Sequence, residues 1–278
     1  MNLVDPGTLK ALLSRHSLSA SKGLGQHFLI SSTVVNRIVG SFDDCRGILE
    51  IGPGPGVLTG PLSEHADRMI ALEIDGRMPA LLAESAPKAE IRNVDALESP
   101  LGPILEELPE PRGLVSNLPY YITGPLLTRI AENRRHFSKA VLMMQKEVGL
   151  RVLAEPKSST RGSLSVFLQS QFTIRKVIVA PAGAFLPPPK VDSLVLEFIP
   201  HQWLPQDIER IFFKIVRVGF TQPRKTLINN FQGLGLTREA SQSLVINSGL
   251  GELARPQEIT NDQWLNVARQ FQLVAADQ

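Results

Sequence analysis

The chain is nearly devoid of cysteine. Cys45 is the only one in 278 residues, so neither an internal disulfide nor a cysteine-based metal site can form, and one thiol suits a reducing compartment. No run approaches 18 consecutive apolar residues, and Met1 to Lys10 has no apolar stretch before a small-residue cleavage site. The expectation is a soluble, cytoplasmic protein with no membrane partner and no metal. Excess charge of one sign is also missing. The formal net charge is +2 and the pI about 8.8, so any nucleic-acid surface must come from local clustering. There is no internal repeat and no low-complexity segment. What remains is ordinary globular composition, 43% hydrophobic and 20% charged, in a length that accommodates one sizeable domain and a smaller annex.

Along the chain, Thr8 to Arg15 reads as a short helix, and Ser31 or Ser32 as the N-cap of another whose apolar face is Val34, Val35, Ile38 and Val39. Short apolar runs then alternate with helical patterns at Gly47 to Ile51, Met69 to Ile74, Glu90 to Val94, Gly113 to Asn117 and Lys139 to Met144. That alternation predicts an α/β fold with a parallel sheet and crossover helices. Two further β runs, Phe172 to Val179 and Ser193 to Ile199, flank the Pro-rich stretch Pro181 to Pro189 and fit an antiparallel pair closing one sheet edge. After Pro200 only helices are expected, from Gln206 to Val218 and from Asp262 to Leu273 among them. The boundary is therefore placed at 200, with residues 1–200 as the main domain and 201–278 as a helical annex.

Ile48-Leu49-Glu50-Ile51-Gly52-Pro53-Gly54-Pro55-Gly56 reads as a strand entering a glycine turn, where a ligand can approach the backbone closely. Glu73, ending the next strand, stands at the distance expected for an acceptor of ribose hydroxyls. A dinucleotide fits poorly. Val57 occupies the sixth position of that fingerprint, and Pro53 and Pro55 remove two N–H donors that a pyrophosphate would need. A nucleoside without phosphates, such as S-adenosylmethionine, fits better; the alternative is a tight turn that binds nothing. Asp95 can accept from an adenine amine or serve as a helix N-cap. Gly52, Glu73, Asp95 and Asn117 all end consecutive strands, the rim on which open α/β sheets bind ligands.

Asn117-Leu118-Pro119-Tyr120 follows the fourth strand. The lone pair of an adenine amine is delocalised into the ring and is a poor nucleophile. The Asn117 side-chain oxygen and the Leu118 carbonyl can accept its two hydrogens and favour a pyramidal nitrogen. Pro119 stiffens the turn, and Tyr120 offers a stacking ring. Positioning of this kind contributes on the order of 7–11 kcal/mol to a bimolecular transfer, so no strong base is needed. The competing reading is a structural turn with Tyr120 as core filler.

Taken with Lys22 to Leu29, Phe185 to Ser193 and Phe220 to Asn229, these motifs closely resemble the small-subunit ribosomal RNA adenine N6,N6-dimethyltransferase family over nearly the whole chain. The resemblance implies a seven-stranded Rossmann-like class I methyltransferase sheet with a small C-terminal helical domain, and S-adenosylmethionine as methyl donor. It also implies two adjacent adenosines near the 3′ end of 16S rRNA as substrate, a role in small-subunit biogenesis, and a monomer. By motif position, His27 and Leu29 would line the donor's methionine end, Gly52 its carboxylate side, Glu73 the ribose, Asp95 the adenine, and Asn117 the junction with the target amine. Phe185 would stack on the target base opposite Tyr120, or else plug the core beneath the Pro-rich loop. Three departures stand out. His27 and Tyr121 occupy positions where the family often has Asn, and Pro223 one where Arg is usual.

From Phe213 to Thr237 there is no Asp or Glu, while Lys214, Arg217, Arg224 and Lys225 are present. Arg210, Lys214 and Arg217 share one helical face, a candidate phosphate-contacting stripe. Arg134, Arg135, Lys139 and Lys146 are expected to extend a basic rim around the target pocket. The rivals are a macrolide-resistance dimethylase acting on large-subunit RNA, and an assembly or transcription factor in which methyl transfer is incidental. The Phe185 to Ser193 and Phe220 to Asn229 segments favour the small-subunit family.

Overall fold

The computed structural model describes residues 1–19 and 26–276, with side chains through residue 273, so the stretch Lys22 to Gly25 of the first motif lies outside the described residues. Seven strands form one sheet: β1 (Gly47–Ile51), β2 (Arg68–Leu72), β3 (Glu90–Arg92), β4 (Arg112–Asn117), β5 (Lys139–Gln145), β6 (Phe172–Ala180) and β7 (Ser193–Pro200). Their order is β3-β2-β1-β4-β5-β7-β6. Strands β1 to β5 are parallel, β7 pairs antiparallel with β5, and β6 forms the edge. All five residues of β1 are buried, as expected of a strand covered on both faces, which explains its near-continuous apolar run. The exception in that run is Glu50, a carboxylic acid only 2% exposed.

From β1 the chain builds outward to β3, then returns to lay β4 on the other side of β1. The order reverses at that point, and the C-terminal ends of β1 and β4 diverge into a crevice. A two-residue ladder pairs Phe28 with Leu186 and Leu29 with Phe185, continued by Ile30 N–H donating to the Ala184 carbonyl at 2.7 Å. It ties the start of the chain to the Pro-rich stretch. Helix Ser32–Val39 begins at Ser31, whose hydroxyl accepts from Val34 N–H, and it buries Val34, Val35 and Ile38.

The chain divides into two compact units, Met1–Gly149 with Ile174–Pro200, and Leu150–Thr173 with His201–Gln278. The expected boundary at 200 therefore misses one segment, Leu150–Thr173, which belongs with the helical annex. Its Val166 is fully buried in the cluster formed by Phe212, Ile215, Phe231 and Trp264. Arg161 of the same segment is 4% exposed and donates to the Ala154 carbonyl at 2.6 Å, Gln169 Oε1 at 2.8 Å and Asn261 Oδ1 at 2.7 Å. Burial draws its guanidinium pKa down, and removing any of these acceptors would leave a buried donor unpaired. Among the described residues, no helix is long and apolar enough to cross a membrane.

Candidate active site

A cavity of about 260 Å³ opens at the C-terminal ends of β1 to β4. Gly52, Glu73, Asp95 and Asn117 all line it, as do His27, Leu29, Leu118, Pro119 and Tyr120. Among the described residues, its walls carry three carboxylic acids, Glu50, Glu73 and Asp95, and no lysine or arginine. Gly52, at φ +72°, occupies a left-handed conformation that glycine adopts without a steric penalty, and its N–H donates to the Leu72 carbonyl at 2.9 Å. At Gly56 a Cβ atom would stand 2.7 Å from Ser85 Oγ, so the turn also needs glycine to sit against the helix Met78–Ser85.

Glu73 is 4% exposed and holds the turn from below: Oε2 accepts from Gly54 N–H at 3.0 Å, and Oε1 from Asp75 N–H at 2.8 Å. Burial raises its pKa, opposed by those two backbone donors. Asp75 differs. The Arg77 guanidinium grips it at 2.8 and 2.6 Å and Gln26 Nε2 donates to it at 3.2 Å, so its pKa is lowered and its charge is balanced locally. The charge of Glu73 has no such partner among the described residues. Asp95 Oδ1 accepts from Leu97 N–H at 2.8 Å in a local turn, and it is not the helix N-cap given as its alternative role, because the next helix begins at Leu101 with Pro100 as its cap. It is half-buried on the cavity wall all the same.

Asn117 Nδ2 donates to the His27 carbonyl at 3.4 Å, which leaves Oδ1 as the end of the amide open to a donor. Leu118 is anchored by its N–H to the Met143 carbonyl of β5 at 2.9 Å, and Thr123 Oγ1 donates to the Pro119 carbonyl at 3.0 Å. The Tyr120 hydroxyl pairs with Ser193 Oγ at 2.9 Å, and its ring stacks on His27 with centroids 5.8 Å apart. Burial raises the Tyr120 pKa. His27 Nδ1–H in turn donates to the Pro187 carbonyl at 2.8 Å, since a carbonyl can only accept.

Phe185 is not brought to the cavity. It is 2% exposed within the main core, so the plug is the role its packing supports. The basic rim also needs correction. Lys139 begins β5 and pairs with Asp44, and Arg134 and Arg135 lie in the turn just before it, at the N-terminal end of the strand and away from the cavity. The strand β5 is seven residues long, which separates its two ends by roughly 20 Å. Only Lys146, directly after β5, is on the cavity side, and it pairs with Asp192 at 3.3 Å. Glu50 and Tyr121 line the cavity although the sequence reading gave neither a role. Glu50 could have been found as a charge inside an otherwise apolar strand, and Tyr121, 56% exposed, as an aromatic beside a motif.

In the annex, helix Gln206–Gly219 buries Ile208, Phe212, Ile215 and Val216 and leaves Arg210, Lys214 and Arg217 exposed. Lys214 Nζ lies 5.6 Å from the Phe271 ring centroid. Arg224 and Lys225 are exposed on a loop pinned by the buried Asn230, whose Oδ1 accepts from Gln222 N–H and whose Nδ2 donates to the Gln222 carbonyl, both at 3.1 Å. Among the described residues, Arg217, Arg224 and Lys225 have no ion-pair partner.

Residues 17–273 match the sequence profile of the ribosomal RNA adenine dimethylase family. The ribosomal RNA small subunit methyltransferase A of Macrococcus caseolyticus is 36% identical, with 88% of this chain and 86% of that protein aligned. The protein of that name from Streptococcus pneumoniae is 35% identical over 96% of this chain and 97% of its own. In three dimensions the chain is similar to a Plasmodium falciparum dimethyladenosine transferase, with a TM-score of 0.76, 24% identity, and coverage of 90% of this chain and 98% of that one. It is also similar to the 23S rRNA methyltransferase ErmE, with a TM-score of 0.66, 23% identity, and coverage of 88% and 99%. Those two likenesses establish the seven-stranded methyltransferase architecture, and the match along the sequence establishes more: the chain belongs to the ribosomal RNA adenine dimethylase family.

Proposed function

We propose that this protein transfers methyl groups from S-adenosylmethionine to the N6 amines of two adjacent adenosines near the 3′ end of small-subunit (16S) rRNA, giving N6,N6-dimethyladenosines, with a role in small-subunit biogenesis. The observation that carries the reading is the meeting, on one cavity, of three carboxylic acids, unaccompanied by lysine or arginine among the described residues, and the Asn117-Leu118-Pro119-Tyr120 turn. Among the described residues, a phosphate-bearing ligand would meet like charge there, whereas a nucleoside with a cationic end meets complementary charge. The names of the relatives from Macrococcus and Streptococcus support the small subunit over the large as the acceptor.

Bound there, S-adenosylmethionine supplies an electrophilic methyl group. Glu73 accepts from the ribose hydroxyls, because each carboxylate oxygen has a second acceptor site beyond the one used by Gly54 or Asp75. Asp95 accepts from the adenine amine, and His27, Leu29 and Gly52 surround the methionine end. Asn117 Oδ1 and the Leu118 carbonyl accept the two hydrogens of the target amine, and Tyr120 and Tyr121 offer rings to the base. The proton displaced from the methylated amine passes to water. Lys214, Arg217, Arg224 and Lys225 neutralise phosphates of the RNA. In this reading the enzyme works as a cytoplasmic monomer on the ribosomal subunit.

The test offers purified protein and labelled methyl donor to undermethylated small subunits, large subunits and naked RNA in parallel. Label in the small subunit alone is expected. Label chiefly in the large subunit would favour the macrolide-resistance reaction instead, and no label anywhere would leave only a non-enzymatic role.

A further inference from the structure

We propose that the annex carries a site for one unpaired guanine base of RNA, stacked on Trp203 and read by Asp262 together with His201 and Asn261. The inference rests on the reading of this protein as an RNA-modifying enzyme. A second cavity, of about 490 Å³ and open to solvent, lies wholly within the unit formed by Leu150–Thr173 and His201–Gln278, and the proposed methyl transfer makes no use of it. Thr173, His201, Gln202, Trp203, Asn261 and Asp262 line it. Trp203 is half-buried: it packs against the annex core and meets the Phe212 ring edge-on, with centroids 6.0 Å apart. A ring held in this way at the wall of an open polar cavity is a platform for a flat, hydrogen-bonding ligand, and an unstacked nucleobase is such a ligand.

The hydrogen bonds already made fix what each polar group still offers. Asn261 Oδ1 accepts from the buried Arg161 guanidinium at 2.7 Å, which orients the amide and leaves Nδ2 as a donor without a partner among the described residues. His201 Nδ1 accepts from Trp203 N–H at 3.3 Å, so the neutral imidazole carries its proton on Nε2, a further donor. The Asp262 carboxylate is exposed and has no ion-pair partner among the described residues. Gln169, which also lines the cavity, is already spent: its Nε2 donates to the Val152 and Ala154 carbonyls at 2.8 and 3.1 Å, and its Oε1 accepts from Arg161 at 2.8 Å.

A carboxylate accompanied by N–H donors selects among the bases. On its pairing edge guanine sets two donors side by side, N1–H and the N2 amine, next to the acceptor O6. The Asp262 carboxylate takes both donors, and Asn261 Nδ2 or His201 Nε2–H takes O6. Adenine, cytosine and uracil each place a lone pair beside the donor on that edge, against the second carboxylate oxygen. Charge then decides the source of the base. Among the described residues the lining has no lysine or arginine, so a free guanine nucleotide would bring its phosphates up to Asp262 without a counter-charge, whereas a base turned out from a strand enters with its phosphates left outside.

Fluorescence anisotropy on the intact protein measures affinity for short labelled oligouridylates with one central guanosine, adenosine or inosine, the last lacking the N2 amine. Wild type is expected to bind the guanosine strand about tenfold to a hundredfold more tightly than the adenosine strand, the usual discrimination of one bidentate base contact, with the inosine strand between them. Tryptophan emission gives a second readout, because the other tryptophan, Trp264, is fully buried in the annex core. The guanosine strand should quench it in wild type and leave it unchanged in Trp203→Phe. Asp262→Asn, an isosteric change at an exposed position, should bring the guanosine and adenosine strands within about twofold of each other. No guanosine preference in wild type, or an undiminished one in Asp262→Asn, would overturn the inference, and free guanosine monophosphate competing as well as the guanosine strand would overturn the assignment to RNA. Should Trp203→Phe not fold, Asp262→Asn decides. Small subunits methylated by a wild type that shows no guanosine preference would sink this inference and leave the proposed function standing; the preference without methylation of any RNA would do the reverse.

Discussion

The cavity of the main unit and the exposed face of the annex follow opposite electrostatic plans. Among the described residues, the first gathers Glu50, Glu73 and Asp95 around a buried space without a lysine or arginine, and the second presents Arg217, Arg224 and Lys225 to solvent without an ion-pair partner. A net charge of +2 conceals both. The difference teaches that the chain handles two kinds of ligand by two kinds of force. Burial makes the cavity's charges strong over short range and sensitive to pH, while exposure makes the annex's charges weak singly, additive over many phosphates and sensitive to salt. Each plan can be broken without the other.

The largest effect is expected on the amine rather than on either field. In Asn117→Ala the acceptor for the target amine is gone, and turnover should fall on the order of 10²–10³-fold, the usual loss for one preorganised polar group at a reacting centre. Donor affinity should stay near wild type, since the amide's other contact is only the His27 carbonyl at 3.4 Å. Single-turnover methylation paired with donor titration checks both halves, and near-normal turnover would remove Asn117 from the chemistry.

Glu73→Ala acts on the cavity itself. It strands the ribose hydroxyls and unpairs the Gly54 and Asp75 N–H groups, so donor affinity should weaken by about 1–3 kcal/mol. Calorimetric titration of a folded variant measures it, and unchanged affinity would take Glu73 out of the site.

The pH sensitivity of the buried acids can be read without ligand. Because the folded-state pKa of Glu50, about 8, lies above its unfolded value near 4.5, the folded form binds the extra proton in that window. Its contribution to stability is whole below about pH 4.5 and is lost as pH rises through about 8. Glu50→Gln should therefore gain in Tm relative to wild type as pH is raised across this window, as thermal melts at several pH values would record. A constant difference would mean that Glu50 does not titrate as described.

The smallest expected effect is on the annex. Replacing Arg224 and Lys225 together by Ala should flatten the dependence of log affinity for the small subunit on log salt by about 1.4–1.8, at 0.7–0.9 per lost phosphate contact. Donor affinity should not change. A salt slope equal to wild type would make these residues plain surface charge.

Much of this was legible in the residues, and what was not has physical causes. The central parallel strands announced themselves as apolar runs because they are buried on both faces, and the Gly52, Glu73, Asp95 and Asn117 rim followed from their places at strand ends. The ladder between Phe28–Leu29 and Phe185–Leu186 was invisible, since two residues have no period and their partners lie more than 150 positions apart. The membership of Leu150–Thr173 in the annex rests on packing of Val166 and on the Arg161 bonds to Gln169 and Asn261, which local pattern does not encode. The expected basic rim failed for a related reason: charge counts along the chain do not say which end of a strand a residue occupies, and Lys139 begins β5 where Asn117 ends β4.

The central claim is that the cavity and its Asn117 turn methylate adenosine amines of the small subunit. Undermethylated small subunits would be incubated with the protein and S-adenosylmethionine, their RNA digested to fragments, and the fragments resolved by mass. The account predicts two neighbouring adenosines near the 3′ end of the 16S rRNA, each heavier by two methyl groups, and neither modified by the Asn117→Ala protein. Methyl groups found elsewhere in the RNA, or the same two dimethyladenosines made by Asn117→Ala at the wild-type rate, would contradict it.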